Sequence, residues 1–325
     1  MDTLIFHVKI EILFIGFIKD HPLNIDYNVY LHKIQSMQLL LFIIIYPLLW
    51  FISILPFRVL YALSDFTYIL VYYIIGYRKE TVRENLALTL PHLSYKERKI
   101  IERKFFHHFC DGFFEMAKTM TISDREINSR FVFTNLEMYQ DLEKKEKSIA
   151  LLCAHYGSYE WLISINKHIN FKGYGIYKKI ANKYFDQLVH NIRSKFKAHL
   201  IDTKESIQVM TENQKNGVLG VYGFASDQSP KKGKAFHWNN FMGITVPVHT
   251  GAEMLAKRMD MNMIFVKVKK VKRGFYEATF VHLTDDVVGV PDYEITDTFL
   301  RLVEAQIYEA PEYYLWTHKR WKHAI

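Results

Sequence analysis

With 325 residues, half of them hydrophobic and 15% aromatic against only 14 glycines and 8 prolines, the chain can bury a sizeable core and is neither disordered nor repetitive. A formal charge of +8 and a pI near 9.1 point to anionic partners: a membrane surface, phosphorylated lipids, an acidic carrier protein or nucleic acid. Cys110 and Cys153 are the only cysteines, which argues against a disulfide framework and suits a reducing compartment.

In chain order, residues 1–36 read as an extension of uncertain status, 37–77 as a hydrophobic membrane anchor and 78–325 as a cytoplasmic body. Leu39 to Phe57 is an uncharged run of 19 residues, about the length that crosses a bilayer core. Pro47 and Pro56 would kink it, and a second apolar run from Val59 to Tyr77 carries only Asp65, so both a single span and a monotopic hairpin stay open. Arg58, Arg78, Lys79 and Arg83 follow the first run, which places the remainder on the cytoplasmic side of an inner membrane. No small-residue cleavage site is present, so the anchor stays attached. Met37 stands directly before the apolar run and is a candidate initiator, with a genuine extension as the other reading.

Beyond the anchor, Ile101, Phe105, Phe109, Phe113, Met116 and Met120 recur at helical spacing after Ser94 and Glu97, which have the form of a capping box. The aromatic stripe is expected to pack on the core. From Arg130 onward, strand-like runs alternate with helical ones. Strands are expected at Ile149–Ala154, Tyr174–Tyr177, His199–Ile201 and Val218–Phe224. Helices are expected up to Leu162, at Tyr184–Phe196, near Ile207 and at Gly251–Met259. Met261–Val268 and Phe275–Val281 read as an antiparallel pair. This alternation predicts an α/β fold, a mixed sheet flanked by helices, with functional residues at the C-terminal ends of strands.

A histidine followed at the fifth position by a carboxylate occurs at His21/Asp26, His92/Glu97 and His155/Glu160, so the spacing alone is weak. Glu97 already serves the capping box, and His21/Asp26 lies in a polar connector around Pro22. Only His155 ends an apolar strand and precedes a glycine, with Ser158 a candidate helix cap; a buried structural His–Glu pair is the competing reading. Cys153 is expected to point away from His155 and not to serve as a nucleophile. The loop from Asp227 through Lys231, Lys232 and Lys234 sits at a strand end and reads as a binding loop or a solvated turn. A G-x-S-x-G elbow, a P-loop and an H-E-x-x-H zinc helix are absent, and Gly173-Tyr174-Gly175 lies within a strand and is no dinucleotide fingerprint. No cofactor and no metal is assigned.

Several motifs together resemble the late acyltransferases of lipid A biosynthesis, within the lysophospholipid acyltransferase superfamily, over about Gln38 to Lys322. They are Val82-Arg83-Glu84-Asn85-Leu86, the block from Ala154 to Trp161, Tyr184-Phe185-Asp186 with Arg193, Asp227-Gln228, Phe241-Met242-Gly243 to Ala256, and Trp316 to Lys322. The resemblance implies that His155 and Glu160 are the catalytic pair, His155 as general base and Glu160 fixing its tautomer, in an acyltransferase domain over 78–325. It implies that Lys178, Arg193, Asp227 and Gln228 contact substrate, and that Lys178, standing where the family usually has arginine, keeps the charge but loses the bidentate fork. It further implies an acyl carrier protein as donor, a phosphorylated glycolipid as acceptor, a membrane setting and no nucleic acid. Backbone amides of the helix after His155, or Lys178, would hold the oxyanion. Two other readings remain open: an acyltransferase of the same fold acting on another membrane lipid, and a non-catalytic membrane-surface binding protein.

Overall fold

A computed structural model describes residues 27–231, 233 and 235–325, with side chains from residue 35 onward; His21, Asp26, Lys232 and Lys234 lie outside the described residues. Helix α1 (Tyr27–Ile54) runs through Met37 without a break and contains Pro47. Helix α2 (Phe57–Ile69) continues as a π-turn, Leu70–Ile75, and stops at Gly76, whose φ of 65° is the left-handed conformation that ends helices. Gln35–Ile54 and Phe57–Ile75 are both long and apolar enough to cross a membrane. Yet α1 is tied to the body at both ends of its apolar stretch. The Gln38 backbone carbonyl accepts from Asn182 Nδ2 at 3.2 Å and Gln38 Nε2 donates to the Ala181 carbonyl, while Phe42 packs on Phe185. At the other end the Ser53 carbonyl accepts from Thr121 Oγ1 at 2.5 Å. Leu40, Ile43, Ile44, Phe51, Phe66 and Ile74 face outward from the two helices, exposed.

Both helices rest on α4 (Tyr95–Lys118), the helix expected from its apolar stripe. It follows α3 (Lys79–Thr89), and its capping box is formed: Glu97 N donates to Ser94 Oγ, and Ser94 N to Glu97 Oε2 at 2.7 Å. Helix α5 (Asp124–Arg130) has a second capping box at Ser123.

The body is a seven-stranded sheet in the order β1-β9-β8-β2-β5-β3-β4. Its strands are β1 (Phe131–Phe133), β2 (Ile149–Cys153), β3 (Lys172–Tyr177), β4 (Ala198–Asp202), β5 (Gly220–Ala225), β8 (Asn262–Lys272) and β9 (Phe275–Thr284). β6 (Trp238–Phe241) and β7 (Ile244–Pro247) form a separate hairpin. All pairings in the large sheet are parallel except β8 with β9, so the predicted mixed α/β sheet is the fold found. β2 lies between β8 and β5 and is buried on both faces, as its unbroken apolar run requires. Alternation splits its residues between two cores. Ala150 and Leu152 join Ala256, Met259 and Phe299 on one face; Ile149 and Leu151 join Ile127, Tyr139, Leu142 and Trp161 on the other.

Two distant sequence motifs meet at the edge of this body. Asn85 Nδ2 donates to the Trp316 and His318 carbonyls at 2.8 and 2.9 Å, and an Arg78 terminal nitrogen donates to the Thr317 carbonyl at 2.8 Å. The C-terminal segment is thereby fastened to the first helices of the body. It then passes directly beside the end of β2.

Candidate active site

Strand register assembles the site. β2 and β5 are parallel neighbours with Cys153 opposite Ala225, so two residues beyond each strand His155 comes level with Asp227. The imidazole Nδ1 lies 2.7 Å from Asp227 Oδ1, and both side chains are buried. Burial acts to raise the Asp227 carboxyl, but the charge and hydrogen bond of His155, with backbone amides, outweigh it and hold the group below its ordinary value. An ionised carboxylate at Nδ1 fixes the proton on that nitrogen and leaves Nε2 free to accept one.

The carboxylate on the imidazole is therefore Asp227, a residue expected to contact substrate, whereas tautomer control was expected of Glu160. Glu160 instead pairs with Arg193, Oε2 to a terminal guanidinium nitrogen at 3.1 Å. Burial acts to push the Glu160 carboxyl up, while Arg193, aided by the charge of His155, acts to lower it. The chain turns between His155 and Glu160 at Gly157, whose φ is 58° and where a Cβ would come within 3.0 Å of Val268 Cγ1. Ser158 precedes a 3-10 helix, Tyr159–Lys167, not an α-helix, and its side chain forms no cap bond. Tyr159 packs edge-on against the imidazole with ring centroids 5.0 Å apart.

The return of the C-terminal segment holds this loop from outside. Gly157 N donates to the Tyr313 carbonyl at 3.0 Å and Leu315 N to the His155 carbonyl at 3.1 Å, with a bridge between Tyr156 and Tyr314. Tyr314 is buried, and burial together with neighbouring Asp227 drives its hydroxyl well above the ordinary pKa. Arg320 is fully buried and donates to the Pro247 carbonyl at 3.0 Å, while its Nε and a second terminal nitrogen have no partner among the described residues. Nothing in the spacing of the motif around Trp316 shows its place at the site, because the contact is made across more than 150 residues.

His155, Glu160, Lys178, Arg193 and Gln228 all line one cavity of about 620 Å³. Lys178 is exposed at its mouth, and Gln228 Nε2 is buried without a partner among the described residues. Cys153 lines the same cavity, which corrects the expectation that it points away: residues two apart on a strand share a face. Its thiol is nevertheless no ready nucleophile, since burial, with Asp227 and Glu160 nearby, pushes it up to about 12. A smaller cleft lies on the other side of His155, between Phe105, Phe109 and Met116 of the α4 stripe and Tyr313 to Leu315. Among the described residues no group of three His, Cys, Asp or Glu side chains is placed to hold a metal ion.

A family model described as bacterial lipid A biosynthesis acyltransferase matches residues 31–323, beginning before Met37 and so earlier than the resemblance expected from Gln38. The protein is an acyltransferase. It is 25% identical over 276 residues to the lipid A biosynthesis lauroyltransferase of Escherichia coli (strain K12), covering 84% of this chain and 89% of that one. It is 21% identical over 258 residues to the lipid A biosynthesis palmitoleoyltransferase of the same organism, covering 75% and 79%. A lipid A biosynthesis acyltransferase of Shigella flexneri is similar to the same extent. The chain belongs to the bacterial lipid A biosynthesis acyltransferase family.

Proposed function

We propose that the protein moves a fatty acyl chain from an acyl carrier protein thioester to a hydroxyl of a phosphorylated lipid A precursor, at the cytoplasmic face of the inner membrane. The observation that carries this reading is the buried 2.7 Å bond between His155 Nδ1 and Asp227 at the mouth of a large, mainly apolar cavity. His155 Nε2 takes the proton of the acceptor hydroxyl as its oxygen attacks the thioester carbonyl. The tetrahedral intermediate collapses with loss of the carrier thiolate, which receives that proton from the imidazolium, leaving an ester and a free thiol. Asp227 holds the tautomer and, with Glu160, stabilises the transient imidazolium. Lys178 and the backbone amides at the start of Tyr159–Lys167 are the groups for the developing oxyanion. The acyl chain occupies the large cavity, and the acceptor approaches through the cleft beside α4.

The two apolar helices set this chemistry at the membrane. Because α1 is fastened at both Gln38 and Ser53, the outward apolar faces of α1 and α2 form one surface alongside the body, which favours burial in a single leaflet. The relatives named for lauroyl and palmitoleoyl transfer support a medium or long saturated or unsaturated chain. The test is transfer in membranes carrying wild-type protein or His155→Ala. Loss of transfer with unchanged membrane association is expected, and an active His155→Ala enzyme would overturn the mechanism.

A further inference from the structure

Resting on the assignment of the large cavity to the acyl chain, we propose that Gly223 and Gly175 part-way along it, and Asn166 at its far end, set the length of chain the enzyme transfers. The strand register supplies the geometry. Leu151 pairs with Gly223, Gly223 with Gly175 and Gly175 with Leu200, giving one row across four strands. The next row down is Ile149, Val221, Gly173 and Ala198. Residues of these rows share the face covered by Leu162, Ile163 and Asn166 of the 3-10 helix and by Phe280.

Two glycines side by side in the middle of a sheet weaken it and leave a gap where side chains would pack. The gap is open at Gly223: a Cβ there would meet nothing nearer than the Tyr174 carbonyl at 3.7 Å. At Gly175 the nearest atom would be Leu200 Cδ2 at 3.3 Å. At Gly173 the gap is filled, because Asn166 Oδ1 occupies the place of the missing side chain, 1.4 Å from where a Cβ would stand. Asn166 Nδ2 donates to the Ile163 carbonyl at 2.7 Å, and its Oδ1 is buried without a partner among the described residues. Asn166 thus sets a polar stop at the Gly173 row of a mainly apolar groove.

Depth follows from strand rise. The Gly223 row lies four residues below His155 and the Gly173 row six, or about 13 and 20 Å at roughly 3.3 Å per residue. An extended hydrocarbon built from bonds of about 1.5 Å advances about 1.25 Å per carbon, which puts the rows about 10 and 16 carbons from the reacting carbonyl. Chains between these lengths fill the groove. Longer ones meet Asn166.

The experiment uses the full-length membrane enzyme with a competing series of saturated acyl thioesters shorter and longer than about 10 to 16 carbons, products being read by mass spectrometry. Gly223→Val should cut transfer of chains beyond about ten carbons at least tenfold relative to shorter ones, since one surplus methylene against a pocket wall costs about 10–200-fold. Gly223→Ala should give a smaller shift in the same direction. Asn166→Ala should move the optimum to longer chains. If Gly223→Val fails to fold, Gly223→Ala and Asn166→Ala decide, and an unchanged optimum in Asn166→Ala overturns the proposal. A wild-type protein that transfers no acyl group from any thioester would instead overturn the acyl-transfer reading beneath it.

Discussion

Replacing Asp227 by asparagine tests the central contact of the site, because it removes one charge and keeps the shape. The part of the attraction to Asp227 that bears on rate is the part that grows as His155 takes up a proton in the transition state. With charge centres about 4 Å apart and an effective dielectric near 20, that attraction is about 4 kcal/mol, or about a thousandfold in rate. The amide can also donate to Nδ1 and trap the tautomer whose proton sits on Nε2, where no base remains. Asp227→Asn should therefore lower kcat and kcat/KM together by about 10³ or more, with KM little changed. Glu160→Gln disturbs a pair whose members are each 24% exposed, where solvent screens the charge, and should cost about tenfold. Initial rates of acyl transfer to the lipid acceptor, with Arg193→Gln alongside, separate the two carboxylates. An Asp227→Asn enzyme within tenfold of wild type, beside an inert Glu160→Gln enzyme, would refute the assignment of Asp227 to the imidazole.

Glu115 supplies a pH test of stability. Burial first, with Asp111, raises its carboxyl to about 7 despite Lys270 and the hydroxyl bonds of Tyr61 and Tyr276, so the folded protein holds a proton that the unfolded chain releases near 4.5. Stability from this group is present below that lower value and is lost as pH rises through 7, about 3 kcal/mol in all; Glu115→Gln should flatten the melting temperature across that window. A form starting at Met37 should keep its membrane association and activity, because Gln38 retains its bonds to Ala181 and Asn182, and fractionation with activity measurement checks it. Transfer from an acidic acyl carrier protein should fall as salt rises while transfer from acyl coenzyme A changes less, since exposed charges are screened over about 10 Å at 0.1 M. Lys178→Ala, at the cavity mouth, should lower kcat, which steady-state kinetics with both donors will show.

Much of the framework was legible from local pattern. The capping box at Ser94, the helix Gly251–Met259 and the strand ending before His155 follow from residue spacing, which neighbours in sequence are enough to fix. The partner of His155 was not legible, because it depends on β2 lying beside β5, a pairing between segments about 70 residues apart. Gly173 and Gly175 were read correctly as lying within a strand, yet what they do depends on Gly223 falling in the same row. Ser158 has the chemistry of a helix cap, but the C-terminal segment bonded to His155 and Gly157 shapes the turn in its place. In each case a long-range contact overrode or completed the local signal.

The bonds from Leu315 to His155 and from Gly157 to Tyr313 have a consequence for biogenesis. Synthesis runs from the N-terminus, so the apolar helices and β2 leave the ribosome well before the segment that braces the catalytic turn. At about 5–20 residues per second, the roughly 160 residues between Cys153 and Tyr314 take about 8–32 s to make. During that interval the histidine loop of the nascent chain is unbraced. The turn that carries His155 is therefore completed only when the chain closes on itself.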